Sequence, residues 1–303
     1  MLKFIIIVLF FILILLVCIS MKLYNYALNP HSSKDGILNT DVKDKTMEEL
    51  WIHNYSEKEN VYIDSFDNLK LHAYIIESKK INKWVIVVHG YMSNAESVSS
   101  IAFKYHKLGY NLIIPDLRGH GLSEGNYIGM GYHDRLDIIK WIDFIILKDK
   151  NSQILLHGFS MGAATVMMVS GEELKGNVKV IIEDCGYTSA KDELSYKLKS
   201  MFKMPSFPIM NIVSLICKIK DNYFIEEASP IKQVQKSKVP ILFIHGDKDN
   251  FVPYNMLNDL YEACNSPKKK LVIEDAGHVK SEKVNEKLYW ETVVNFVNNY
   301  IKE

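Results

Sequence analysis

One pentapeptide limits the folds open to this chain more than any other segment: Gly158-Phe159-Ser160-Met161-Gly162. It follows an apolar, strand-like run at 153–157 and opens a helix-like segment at 161–171. A serine held on so sharp a strand-to-helix turn needs glycine on both sides, because side chains there would meet the neighbouring strand and helix. The serine then projects at the carboxyl edge of a sheet and at a helix N-terminus, where developing negative charge is favoured. Ordinary glycine-rich strand–helix turns share this composition, so the strand–turn–helix context carries the reading.

The surrounding chain supplies that context. Segments 61–65 and 69–76 flank Phe66-Asp67-Asn68 and read as a hairpin. Residues 83–88 form a continuous apolar run, the pattern of a strand buried on both faces. A helical pattern at 95–108 stops at Gly109, and strand-like runs follow at 111–115, 178–183, 240–245 and 271–273. Helical patterns also cover 132–147, 255–263 and 283–301. Such alternation after an opening hairpin predicts an α/β fold, a mostly parallel sheet with helices on both faces. Residues 186–238 break the rhythm. They carry two helix-like pieces, 191–202 and 208–218, and read as a small lid inserted above the sheet. Its apolar residues, Leu194 to Ile216, either line a pocket or cover core.

The N-terminus opens with an unbroken apolar run of 16 residues at 4–19, bracketed by Lys3 and Lys22. Extended through Met21 it spans about 27 Å as a helix, enough to cross a bilayer with both lysines snorkelling. A cleaved signal peptide is disfavoured, since Cys18-Ile19-Ser20 is a poor small-x-small site. Lipid attachment at Cys18 is disfavoured by bulky Val17. An uncleaved anchor at 1–22 fits best. Lys3 and the terminal amine place the rest of the chain on the extracytoplasmic side, a bias weakened by Lys22 and Lys34. Residues 23–60 read as a tether with a lead-in helix near 47–53, and 61–303 as one domain.

Charge narrows the partners. Lys plus Arg and Asp plus Glu number 36 each, so no basic field gathers nucleic acid. The four cysteines form no C-x-x-C pair, so zinc and redox motifs are absent, and a core this large needs no disulfide.

A serine hydroxyl needs a base to act as nucleophile. Of the ten histidines, His278 alone lies in a loop after a late strand and downstream of both the serine and the candidate acids. His89, His157 and His245 end strands and read as structural groups near the site. The acid that holds the base's tautomer is Asp249, with Asp247 in the same loop a close rival and Asp184 a third option. Oxyanion donors are expected from the backbone N–H groups of Met161 and of Tyr91, the latter in the loop after 83–88. Asp116 and Arg118 read as braces for a loop wall.

From about residue 61 to its end the chain resembles α/β-hydrolases of the serine aminopeptidase-like and acyl-lipase-like group. The resemblance rests on His89-Gly90-Tyr91, Asp116-Leu117-Arg118-Gly119-His120-Gly121, the Ser160 pentapeptide, His245-Gly246-Asp247-Lys248-Asp249 and Gly277-His278. The stretch Glu183-Asp184-Cys185-Gly186-Tyr187-Thr188-Ser189 looks like that of bacterial members with an N-terminal anchor. The resemblance implies an α/β-hydrolase fold with an eight-stranded sheet, a Ser-Asp-His triad, and neither cofactor nor metal. The reaction expected is hydrolysis of a small-molecule or lipid-like acyl ester through an acyl-serine. A serine aminopeptidase is the first rival; it needs acidic residues in the lid to hold a free amine. Asp192 with Glu193, or Glu226 with Glu227, are available and read as solvated charge. An idle, membrane-tethered binding module is the second rival, disfavoured by the intact set of serine, acid and histidine.

Overall fold

A computed structural model describes residues 1–32, 46–78 and 82–302. The expected tether lies partly at 33–45, and Lys34 with it, outside the described residues. The chain begins with α1 (Leu2–Leu28) and the short α2 (Trp51–Asn54), followed by β1 (Glu59–Asp64), β2 (Lys70–Ile76) and β3 (Lys83–Val88). Then come α3 (Ser99–Lys107), β4 (Asn111–Pro115), α4 (Asp134–Lys148), β5 (Gln153–Phe159), α5 (Met161–Val169) and β6 (Val178–Asp184). An insertion of α6 (Ala190–Phe202), α7 (Ile209–Asp221) and α8 (Pro230–Val234) leads to β7 (Ile241–Gly246). The chain closes with α9 (Asn255–Ala263), β8 (Lys268–Ile273), α10 (Ser281–Val284) and α11 (Glu286–Val297).

Among the described residues these strands form one eight-stranded sheet in the order β1-β2-β4-β3-β5-β6-β7-β8. β2 pairs antiparallel with both β1 and β4, and the pairings from β4 through β8 are parallel. The pleat divides each central strand between two cores. Trp84, Ile86 and Val88 of β3 face one apolar cluster with α4, α5 and α9, while Val85 and Val87 face the other with α3 and α11. Burial on both faces is why 83–88 reads as an uninterrupted apolar run.

Two elements differ from the sequence reading. The expected helix over 283–301 is split between α10 and α11 at Asn285, whose side chain accepts from the Leu288 N–H and starts a new helix. More consequentially, the helix expected to give way to a tether at residue 23 runs on to Leu28. Ser20, Tyr24 and Leu28 recur every four residues and bury one stripe of α1 in the domain. The Tyr24 hydroxyl donates to both Asp221 carboxylate oxygens on α7, at 2.9 and 2.7 Å. The Leu28 carbonyl accepts from the Ile128 N–H at 2.7 Å, and the Ala27 carbonyl from the Tyr91 hydroxyl at 2.7 Å. Residues 2–15 stay exposed, and α1 as a whole is long and apolar enough to cross a membrane.

Candidate active site

The turn between β5 and α5 holds Ser160 at φ 54°, ψ −115°. A non-glycine residue in this region costs about 1–3 kcal/mol, so the flanking packing must impose it. Gly158 and Gly162 make that packing possible: a Cβ on Gly158 would collide with the Gly162 carbonyl, and one on Gly162 with the Val88 carbonyl of β3. The Ser160 N–H donates to the Asp184 carbonyl at 2.9 Å and ties the turn to β6.

The sheet edge brings three of the predicted side chains together. His278, in the loop after β8, has Nε2 2.9 Å from Ser160 Oγ and Nδ1 2.7 Å from Asp249 Oδ2. With its proton on Nδ1, donated to the carboxylate, the ring leaves the Nε2 lone pair facing the serine hydroxyl. The Phe251 ring stacks on His278 with centroids 4.7 Å apart and limits its rotation. Asp249 is 4% exposed, and its other oxygen accepts from the Phe251 and Val252 N–H groups at 2.8 and 2.9 Å. Burial pushes this carboxyl up, but hydrogen bonds from His245 and His278 outweigh it and hold it well below the usual carboxylate range.

The rivals for the acid point elsewhere. Asp247 accepts from the Asp275 N–H at 2.7 Å and pairs with Lys248. Asp184 accepts from the hydroxyls of Tyr289 at 2.9 Å and Ser281 at 3.4 Å. Tyr91 and Met161 both border the cavity above Ser160, and a Cβ on Gly90 would stand 3.3 Å from Ser160 Cβ, so the Gly90–Tyr91 backbone runs beside the serine. Asp116 accepts from the Ala95 and Leu122 N–H groups, and Arg118 grips Asp137 with two donors at 2.7 and 2.8 Å. Both therefore brace loops.

His245 takes a position that sequence reading did not separate from packing: its Nε2 stands 3.2 Å from Asp249 Oδ2, on the oxygen that also faces His278. The cavity above Ser160 was legible only as one of two readings of the insertion's apolar residues, and its α1 wall not at all. Its walls are mainly apolar and come from α1 (Leu23, Tyr26, Ala27), α6 (Leu194, Leu198, Met201, Phe202) and α7 (Met210, Val213). One wall residue corrects the expectation of solvated charge in the insertion. Asp192 does serve at the surface, accepting from the Ser189 and Thr188 hydroxyls at the start of α6. Glu193, one position on, is turned inward and is 3% exposed. Neither of its carboxylate oxygens has a hydrogen-bond partner among the described residues, and Lys197 Nζ stands 3.7 Å away. Burial raises the Glu193 carboxyl to about 8 despite Lys197, whose own value burial lowers. The available signal was the i,i+4 spacing of Glu193 and Lys197 beside inward-facing Leu194 and Leu198.

Known proteins are similar to this chain in sequence or in fold. Residues 79–201 match the family model described as serine aminopeptidase, S33. The Bacillus subtilis protein YqkD is 28% identical over 274 residues, covering 85% of this chain and 89% of that protein. The thermostable monoacylglycerol lipase of Bacillus sp. strain H-257 is 21% identical over 244 residues, covering 70% and 89%. The Pyrococcus furiosus esterase Pf2001 superposes with a TM-score of 0.68 at 23% identity, covering 86% of this chain and 96% of that one. With a Ser160 turn after β5 and a mostly parallel eight-stranded sheet, the chain has the α/β-hydrolase fold, and its residues 79–201 are similar to the serine aminopeptidase family.

Proposed function

We propose that the protein hydrolyses carboxylic acyl esters through a covalent acyl-serine. The observation that carries this reading is the hydrogen-bonded series Ser160–His278–Asp249 opening into an apolar cavity. Ser160 Oγ attacks the ester carbonyl carbon while His278 Nε2 takes its proton. The resulting oxyanion is held by the backbone N–H groups of Met161 and Tyr91. His278 then protonates the leaving alcohol as the C–O bond breaks. Water, deprotonated by the same nitrogen, attacks the acyl-serine; Ser160 recovers its proton and the acid departs. Asp249, kept ionised, steadies the imidazolium in both halves. The names of the monoacylglycerol lipase and the esterase among the similar proteins support an ester substrate.

Glu193 favours a second reading. An ionised carboxylate buried in the wall of the cavity that holds Ser160 would pair with the ammonium of an N-terminal residue, as the serine aminopeptidase family name suggests. Either reading keeps α1 as an uncleaved single-pass anchor with the catalytic domain on the extracytoplasmic side. The test is fluorophosphonate labelling mapped by mass spectrometry, with p-nitrophenyl esters from acetate to palmitate run beside aminoacyl p-nitroanilides. Adduct at Ser160, lost in His278→Ala, with ester turnover supports the esterase. Anilide turnover that collapses in Glu193→Gln supports the peptidase. A folded protein that neither labels nor turns over either series sinks both.

A further inference from the structure

The last turns of α1 continue the apolar span and also line the cavity that holds Ser160. Leu23, Tyr26 and Ala27 border that cavity, while Tyr24 and Leu28 are buried in the domain. Leu23 comes four residues after Ile19, where the apolar run ends, which is about 6 Å along a helix axis. The interfacial layer on each side of the hydrocarbon core is about 5–7 Å thick. A span ending at Ile19 therefore sets this wall at headgroup depth, where glycerolipid ester carbonyls reside.

The rim has matching chemistry. Met201 and Phe202 line the cavity and remain substantially exposed, with the Phe202 ring edge-on to Tyr26 at 5.7 Å. The same insertion exposes Phe207 (77%), Leu215 and Ile219 (75%). Exposed Lys199, Lys203 and Lys220 belong to it as well, and Lys220 Nζ lies 4.7 Å from the Tyr24 ring centroid on α1. Apolar side chains and lysines beside the end of a spanning helix suit a surface of partly anionic headgroups.

We propose that the end of α1 is the membrane-side wall of the acyl pocket, and that the substrate is a bilayer-resident amphiphilic ester whose acyl chain enters between α1 and α6 from the leaflet surface. This rests on the ester-hydrolase reading above. Anchor and specificity element are then one helix. Burial keeps Glu193 protonated through most of the neutral range, so the pocket presents the chain a hydrogen-bonding group and no fixed negative charge.

The test uses full-length protein in vesicles of phosphatidylcholine and phosphatidylglycerol. p-Nitrophenyl acetate is supplied from solution and p-nitrophenyl palmitate within the bilayer. Ala27→Trp and Leu23→Trp each place an indole in the wall, and Phe202→Asp puts a charge on the rim. Excluding two methylenes from an apolar pocket is worth about tenfold, so the palmitate-to-acetate ratio of kcat/KM should fall about tenfold or more in each variant. Palmitate turnover in the native protein should follow its mole fraction in the bilayer. An unchanged ratio in both tryptophan variants, with acetate still hydrolysed, overturns the proposal. An equal fall for the two substrates overturns it as well, because the wall is then only scaffold. Palmitate turnover that follows the aqueous monomer concentration overturns the bilayer route. Failure of the native protein to hydrolyse acetate or to label at Ser160 removes the hydrolase reading and this inference together.

Discussion

Asp249 accepts from two backbone N–H groups on Oδ1 and from His278 on Oδ2, and His245 Nε2, which faces the Val252 carbonyl, stands 3.2 Å from the same Oδ2. An amide in its place would present an N–H to one histidine and favour the wrong His278 tautomer. Asp249→Asn should therefore lower kcat by about 10⁴, whereas Asp247→Asn, which touches a backbone N–H of the next loop, should change it only a few-fold. Steady-state kinetics on one ester separates the two carboxylates. Their order was the least legible part of the site in sequence, since both lie in one loop two residues apart and only the φ/ψ path of that loop decides which meets His278. Glu193 gives a second expectation at this scale. Its folded-state carboxyl, raised to about 8 from an ordinary 4.5, holds a proton that the unfolded chain has released. The stability it contributes is thus complete below the unfolded value and is lost as pH rises through about 8. Thermal midpoints should decline over that window, and Glu193→Gln should flatten the decline. A residual slope should persist from Glu183 and Asp184, which burial raises to about 8 and about 7.

The elements themselves were largely legible because each obeys a local rule. β3 is a buried apolar run, the Ser160 turn is bounded by glycines that admit close approach, and the mostly parallel sheet follows from strand–helix alternation. The end of α1 obeyed no such rule. The end of the apolar run at Ile19 and Lys22 marked where the span stops, but leucine suits lipid and protein interior alike, so composition did not mark that the helix runs on into the domain. Only the stripe of Ser20, Tyr24 and Leu28, with the polar tips of serine and tyrosine, signalled a protein partner. That partner is α7, through Asp221. Tyr24→Phe keeps the ring packing and removes the donor to a carboxylate that is 7% exposed. The change should cost about 1–3 kcal/mol in denaturant unfolding of the detergent-solubilised protein, and Asp221→Asn together with it should restore part of that loss.

At the scale of the whole molecule, one rigid domain and one apolar helix share a common packing interface. The protein should sediment with membranes, resist extraction by alkaline carbonate, and retain its N-terminal residues in an intact-mass measurement. A mature mass lacking residues 1–20 would contradict the anchor. α1 continues without a break from Leu2 to Leu28, with its last turns clamped between α7 and the loops of Tyr91 and Ile128. Such a rod leaves no hinge between span and domain. A long apolar helix meets a bilayer of unequal thickness by tilting. Here any tilt of the rod turns the cavity mouth through the same angle. On the anchor proposed above, the acyl composition of the host membrane becomes a setting of the enzyme's aim, and vesicles of graded hydrocarbon thickness should tune its turnover without touching a single active-site atom.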